Sequence, residues 1–349
     1  MSDRVTQIKK AIAPLRAAMV DFALPEVEAE LERLAGGAVF RSSHSIGTHK
    51  GAAAYVAAAY APLLAAWPDL ERRDYIVIGG ADEHGLDWVG TAGFYAGTFA
   101  RPWLDIPPTG HFTHMRFHEF YRFEGDKVVE MQALWDIPEV MMQAGAWPLS
   151  PSLGREGLVP GPLTQDGIVT GPYDMATSEA SKVVILDMLA AMTRHPSQGG
   201  PEVMEMERFW HPSMSWYGPA GIGTARGIAG FRNWHQIPFL AAMPDRGYEK
   251  SSMIYHFFGD GAYTGVTGWP NMKQTLSHPG WLGIAPPNKT VTMCSLDFWR
   301  VQDGLIRENW VMIDLIDMYA QIGVGVLARM REFNKARVGF DSQTGRALA

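Results

Sequence analysis

The sequence predicts an α+β protein made of two tandem copies of one unit, each with helices packed on a curved, mainly antiparallel sheet. Three observations carry that expectation: an internal repeat, helical patterning at the head of each copy, and a matched strand–turn–strand ending. "SIGTHKG" at residues 45–51 returns as "GIGTARG" at residues 221–227. "PLLAAWPD", starting at Pro62, returns as "PFLAAMPD", starting at Pro238, again 176 residues later. Near the ends of the copies the spacing becomes 178 residues: "EFYRF" matches "DFWRV", Glu130 matches Glu308, and Asp136 matches Asp314. Repeats of this length mark duplicated structural units. The copies are placed at residues 5–148 and 178–335, with a Pro/Gly-rich connector at 149–177 and a flexible tail at 336–349.

Within each copy the elements follow in order. "IKKAIAPLRAAMVDF" and "PEVEAELERL" carry apolar residues at helical spacing, and Pro25 suits a helix start. "SEASKVVILDMLAAMTR" opens the second copy, with Ser178 as its expected cap. "GAAAYVAAAYAPLLAAW" and "GIAGFRNWHQIPFLAAM" form the next helix of each copy. Thr48 and Thr224 are the expected N-caps there, and Pro62 and Pro238 are expected to kink or split these helices at matching places. Strands follow: "RDYIVIGG", "LDWVGTAGFYAGTF", "HFTHMRFHEFYRF" and "KVVEMQALWD" in the first copy, and "SSMIYHFFGDG", "YTGVTGWP", "KTVTMCSLDFWRV" and "LIRENWVMID" in the second. Gly125-Asp126 and Asp303-Gly304 are two-residue hairpin turns. Helices first and antiparallel strands afterwards indicate α+β.

Composition bounds the function. The chain has 349 residues, 47% hydrophobic and 19% charged, enough to fill two cores. A net charge of −7 argues against a nucleic-acid partner or an anionic membrane surface. No apolar run is long enough for a membrane span and no signal peptide is evident, so a cytoplasmic protein is expected. Cys294 stands alone and reads as a small hydrophobe in a strand. His114 and His118 share a strand face roughly 13 Å apart, too far for two ligands of one metal. His111 and Glu119 take the other face, and no H-E-x-x-H helix occurs, so no metal site and no cofactor are expected. The Ile-Gly-Thr-x-x-Gly repeats lack a phosphate-loop ending and read as turns into helices.

The last strand of each copy holds the candidate chemistry. Period two puts Glu308, Trp310, Met312 and Asp314 on one face, and Glu130, Gln132, Leu134 and Asp136 on the matching face of the first copy. If that face packs on the helices, both aspartates point into a cavity, where apolar neighbours would raise their pKa for proton transfer. Otherwise each strand-end Asp caps the helix that follows it. Tyr217 and His235 flank the repeated glycine motif, and His235 is the best available imidazole of the second copy.

The ending, turn–hydrophobics–Glu-x-Trp-x-x-x-Asp before a helix, resembles the SnoaL-like polyketide cyclase family of the wider nuclear transport factor 2-like group. "WYGPAGIGTARGIAGF", Trp216 to Phe231, resembles the family's pocket wall leading into a helix. The resemblance covers nearly the whole chain, once per half. It implies two cone-shaped domains packed through their sheets as an intramolecular pseudo-dimer, with a homodimer of the whole chain left open. It implies cofactor-free aldol cyclisation, isomerisation or dehydration of a small apolar or aromatic carbonyl compound. Asp314 would be the general base and acid, and Asp136 its duplicate. His235 or Tyr217 would donate to developing enolate charge, and Trp310, Met312, Trp216, Glu308 and Trp135 would bind substrate. The family's aldol cyclases resemble one another in a His two residues before the Asp, where this chain has Met312 and Leu134. That departure keeps a second reading open: a noncatalytic small-molecule-binding module or an interaction scaffold of the same fold.

Overall fold

The computed structural model describes residues 2–246 and 253–337. Two helices, Ser2–Ala18 and Leu24–Ala35, open the first half. Six strands follow: β1 (Val39–Ser42), β2 (Thr48–Lys50), β3 (Glu71–Ala81), β4 (Asp87–Thr98), β5 (Phe112–Glu124) and β6 (Lys127–Trp135). The second half opens with the helix Met175–Met192 and the short turns Pro201–Met204 and Met206–Phe209. Its strands are β7 (Trp210–Tyr217), β8 (Thr224–Arg226), β9 (His256–Asp260), β10 (Tyr263–Thr267), β11 (Met272–Leu276), β12 (Lys289–Met293), β13 (Ser295–Gln302) and β14 (Leu305–Ile313).

The two sheets have one topology. The first runs β2-β1-β6-β5-β4-β3 and the second β8-β7-β14-β13-β10-β9. Each is antiparallel at every pairing but one: β1 pairs with β6, and β7 with β14, in parallel. The short edge strands β2 and β8 escape sequence reading because three residues carry no clear period. The second half departs from the first at one place. Where β4 and β5 are continuous, their counterparts break into β10/β11 and β12/β13, and β11–β12 forms a separate hairpin.

Local chemistry explains most of the elements. Gly125, and both Asp303 and Gly304, hold positive φ in the two-residue turns closing β5–β6 and β13–β14, as tight hairpins require. The helices before Pro62 and Pro238 each contain one π-turn, Val56–Tyr60 and Arg232–Gln236. A proline has no N–H and crowds the carbonyl four residues back, so a wider turn relieves both copies at the same position. Three expected caps are corrected. Asp174 caps Met175–Met192, accepting from the N–H groups of Ala176 and Thr177, while Ser178 lies inside the helix. Thr48 and Thr224 belong to β2 and β8. The expected C-terminal tail is helical through Arg337, and residues 338–349 lie outside the described residues. Among the described residues no helix is long and apolar enough to cross a membrane.

The sheets pack against each other. Ile76, Ile78, Phe120, Leu134, Phe258, Leu296, Phe298, Trp310 and Met312 form one buried layer between them. Phe120 stacks on Phe298 with ring centroids 4.8 Å apart. A Cβ on Gly90 would lie 2.8 Å from Phe298, and one on Gly80 would lie 2.9 Å from the Gly259 carbonyl, so these glycines allow the sheets their closest approach. The opposite side of each sheet packs on its own helices. The connector begins with Leu149 packed against the helix-side core. It pairs with the edge strand β8 through Arg155 and Thr224, takes the Trp310 indole N–H on the Pro160 carbonyl, and then runs beside Val77 of β3.

Candidate functional site

The face bearing Asp136 and Asp314 turns toward the other half of the molecule, not toward the helices. Each aspartate therefore crosses the seam. Asp314 Oδ2 accepts from the His44 backbone N–H at 2.6 Å, and Asp136 Oδ2 accepts from the Ala220 backbone N–H at 2.9 Å. His44 lies in the β1–β2 loop and Ala220 in the matching β7–β8 loop, so the two contacts are reciprocal. Asp314 also caps its helix, accepting from the Asp317 N–H at 3.0 Å. Burial pushes Asp314 up to about 6, against the lowering effect of these N–H donors. Asp136 is pushed up to about 7 by burial, with Arg116 acting in the opposite direction. Arg116 itself is buried and donates to the carbonyls of Tyr217, Gly218 and Val311 across the seam.

The other expected site residues divide between the seam and the interiors. Trp310, Met312 and Tyr217 belong to the layer between the sheets, with the Trp310 and Tyr217 rings 5.4 Å apart. Glu308 is held by Arg300 at 2.6 Å and by the connector N–H of Leu163. Trp216 and His235 lie on the helix side of the second sheet, their rings stacked 4.2 Å apart. His235 sits among Trp216, Phe231 and Phe239, and burial lowers its pKa to about 3. Trp135 lies on the helix side of the first sheet. The structure thus disperses the set instead of bringing it together. His118 also joins the seam, its Nδ1 2.6 Å from the Leu296 carbonyl.

The helix sides of the two sheets differ sharply. In the first, Glu119 is wholly buried and accepts four hydrogen bonds: from Arg72 at 2.6 Å, Tyr121 at 2.6 Å, Tyr95 at 2.9 Å and the Trp135 indole at 3.1 Å. Arg72 lies 3.9 Å over the Phe117 ring and also donates to Asp74 and Thr91. Every acceptor position of the carboxylate is engaged. Burial first, and then the Glu119 charge, raise the pKa of Tyr95 and Tyr121, which holds both as donors.

In the second half the same place is open. Asp314 N donates to the Cys294 carbonyl as Asp136 N does to the Arg116 carbonyl, which fixes the correspondence of β5 with β12–β13. Glu119 then corresponds to Asp297, Phe117 to Ser295, and Tyr95 to Met272, each pair sharing its strand partners. Each replacement is smaller or more flexible, and a cavity of about 300 Å³ lies beside them. Leu186, Leu189, Phe257, Val266, Met272 and Trp299 supply its apolar wall. Asp297, Ser295, Asn271, Gln274 and Arg246 supply its polar groups.

Asp297 is partly exposed, and the Ser295 hydroxyl donates to it at 2.8 Å. Enclosure pushes its pKa up to about 7, moderated by Ser295 and a backbone N–H at Met312. Asn271 is locked by two bonds to the Ser295 backbone, at 2.7 and 2.8 Å. The buried Gln274 Nε2 and Trp299 Nε1 have no hydrogen-bond acceptor among the described residues. Two idle donors and one carboxylate with a raised pKa on an apolar wall suit a ligand with a carbonyl oxygen. The signal for Asp297 lies in the repeat itself. Glu119 and Asp297 head the matched segments "EFYRF" and "DFWRV", an acid kept at one position in both copies.

A search of the curated proteins found no match. Among solved structures, AclR from Streptomyces galilaeus matches at 18% identity and a TM-score of 0.34, over 40% of this chain and 86% of its own. IdmH from Streptomyces antibioticus matches at 20% identity and a TM-score of 0.34, over 40% of this chain and 99% of its own. A SnoaL-like protein from Jannaschia sp. CCS1 matches at 21% identity and a TM-score of 0.34, over 40% and 91%. The model of the SnoaL-like polyketide cyclase family matches residues 9–144 and again residues 200–322, most of the chain and one copy in each half. The chain belongs to the SnoaL-like polyketide cyclase family, which it carries twice.

Proposed function

We propose that the second half is the working half, a cofactor-independent acid–base catalyst acting on a small, largely apolar carbonyl compound. The observation that supports this most is Asp297 on the wall of a cavity whose counterpart in the first half is filled. A carboxylate with a pKa of about 7 is half-ionised near neutrality, so it can take a proton and return it. A carbonyl oxygen accepts from Gln274 or Trp299 and develops negative charge there as Asp297 removes the proton on the adjacent carbon. Return of that proton to another carbon is isomerisation; attack of the enolate on a second carbonyl is aldol cyclisation. In this reading Asp136 and Asp314 brace the two cones, and His235 packs beside Trp216.

The test is exchange of α-protons in D₂O, followed by proton NMR, across a panel of small aryl ketones and β-keto esters. The wild type should accelerate exchange of at least one compound, and Asp297→Asn should lose that acceleration by about 10²–10⁴-fold. No exchange with any compound, or exchange unchanged in Asp297→Asn, rejects the catalytic reading. Saturable quenching of Trp299 without exchange would instead make the second half a binding module.

A further inference from the structure

The cavity of the second half contains one group that proton transfer does not use. Arg246 stands on the turn after the helix Ile237–Ala242 and lines the same space as Asp297. Its guanidinium lies 5.5 Å from the centroid of the Phe239 ring. The charged groups facing it decide its state. Among the described residues Tyr255 acts on it, it acts in turn on His235, and no carboxylate pairs with it. Burial lowers its pKa, and Tyr255 acts in the opposite direction. The buried arginines detailed above are matched, Arg72 by Glu119 and Asp74, Arg300 by Glu308, and Arg116 by three carbonyls and Asp136, whereas Arg246 is half-buried on the cavity wall.

A guanidinium half-withdrawn from water, with no carboxylate partner among the described residues, can take a planar anion in two parallel hydrogen bonds. We infer that the ligand of this cavity carries a carboxylate seated on Arg246, with its apolar body along Leu186, Leu189, Phe257 and Trp299. This rests on the reading that the cavity is the ligand site. The carboxylate goes to Arg246 and not to the far wall, because Asp297 repels a second negative charge. The ligand is thereby held in one direction, with its carbonyl directed to the Asp297 wall. The substrate class is an aryl or short-chain keto acid. A cavity of about 300 Å³ suits one or two rings and not a long chain.

The experiment compares 2-naphthoate with its methyl ester by isothermal titration calorimetry, using the full chain. Wild type should bind the acid at least tenfold more tightly than the ester. Arg246→Gln should lose that preference while ester affinity stays within twofold, and circular dichroism would verify its fold. Arg246→Lys, which keeps the charge but not the planar fork, should fall between. Equal or tighter binding of the ester by wild type overturns the inference, as does a preference that survives in Arg246→Gln. If neither probe binds wild type, the cavity is not the ligand site and this inference falls with that premise. If the acid preference appears but no compound of the panel exchanges, the anion site stands and the catalytic reading alone is lost.

Discussion

Glu119 and Asp297 occupy one position in two copies of one fold, yet their surroundings have opposite consequences. Around Glu119, Arg72 and the rings of Phe117, Tyr95, Tyr121 and Trp135 fill the space and satisfy the carboxylate. Around Asp297, Ser295 and Met272 replace the bulk of Phe117 and Tyr95, and a cavity remains. A buried carboxylate with all its donors is a structural tie; the same carboxylate with few donors and an adjacent space is chemically available. Duplication lets one copy become a rigid partner while the other keeps the open interior, because each sheet needs a cover and the copies supply it to each other.

That contrast can be broken by experiment. The largest effect is expected from Glu119→Ala, which leaves the buried Arg72 with Asp74 as its one remaining carboxylate and three further donors idle. It should cost about 3–5 kcal/mol in urea unfolding, against less than about 1 kcal/mol for Asp297→Ala. Equal costs at the two positions would end the distinction between tie and working group. Asp314→Ala removes a helix cap and leaves the His44 N–H without its acceptor. A loss of about 2–3 kcal/mol is expected, with 2-naphthoate affinity unchanged below the unfolding transition. A large change in affinity without a change in stability would return Asp314 to the ligand site. Ser295→Phe restores the side chain of the first half, so calorimetry should show binding abolished at a stability within about 1–3 kcal/mol of wild type.

The smallest effect is in the pH dependence. The folded pKa of Asp297, about 7, lies above the ordinary carboxylate value of 3.8. The folded state therefore holds a proton that the unfolded chain releases, and this contribution to stability is present below about pH 4 and is lost as pH rises to about 7. Asp136 and Asp314 act in the same direction, so the difference between wild type and Asp297→Asn isolates the one group. Relative to wild type, Asp297→Asn should gain stability steadily from pH 4 to pH 7 and no further. The carboxyl carbon of Asp297 should titrate by NMR near 7, and a midpoint near 4 would remove its role as base.

The sequence by itself determined the duplication, the order of the helices and long strands, both hairpin turns and the place where proline disturbs the helix after each Ile-Gly-Thr repeat. These are local properties: turn glycines, helical spacing and a missing N–H act within a few residues. It also held the acid kept at Glu119 and Asp297, though not the meaning of either. The orientation of β6 and β14 was decided only in the tertiary structure. A strand with one wet face declares its inner side by alternation, but "LIRENWVMI" is buried on both faces, so its pattern fits either orientation. Packing the sheets on each other turned Trp310 and Met312 to the seam and gave Asp136 and Asp314 to the loops of the opposite copy. The cavity, too, arises from side chains far apart in the chain, Leu186 and Arg246 among them, and its existence depends on the volume left when they meet.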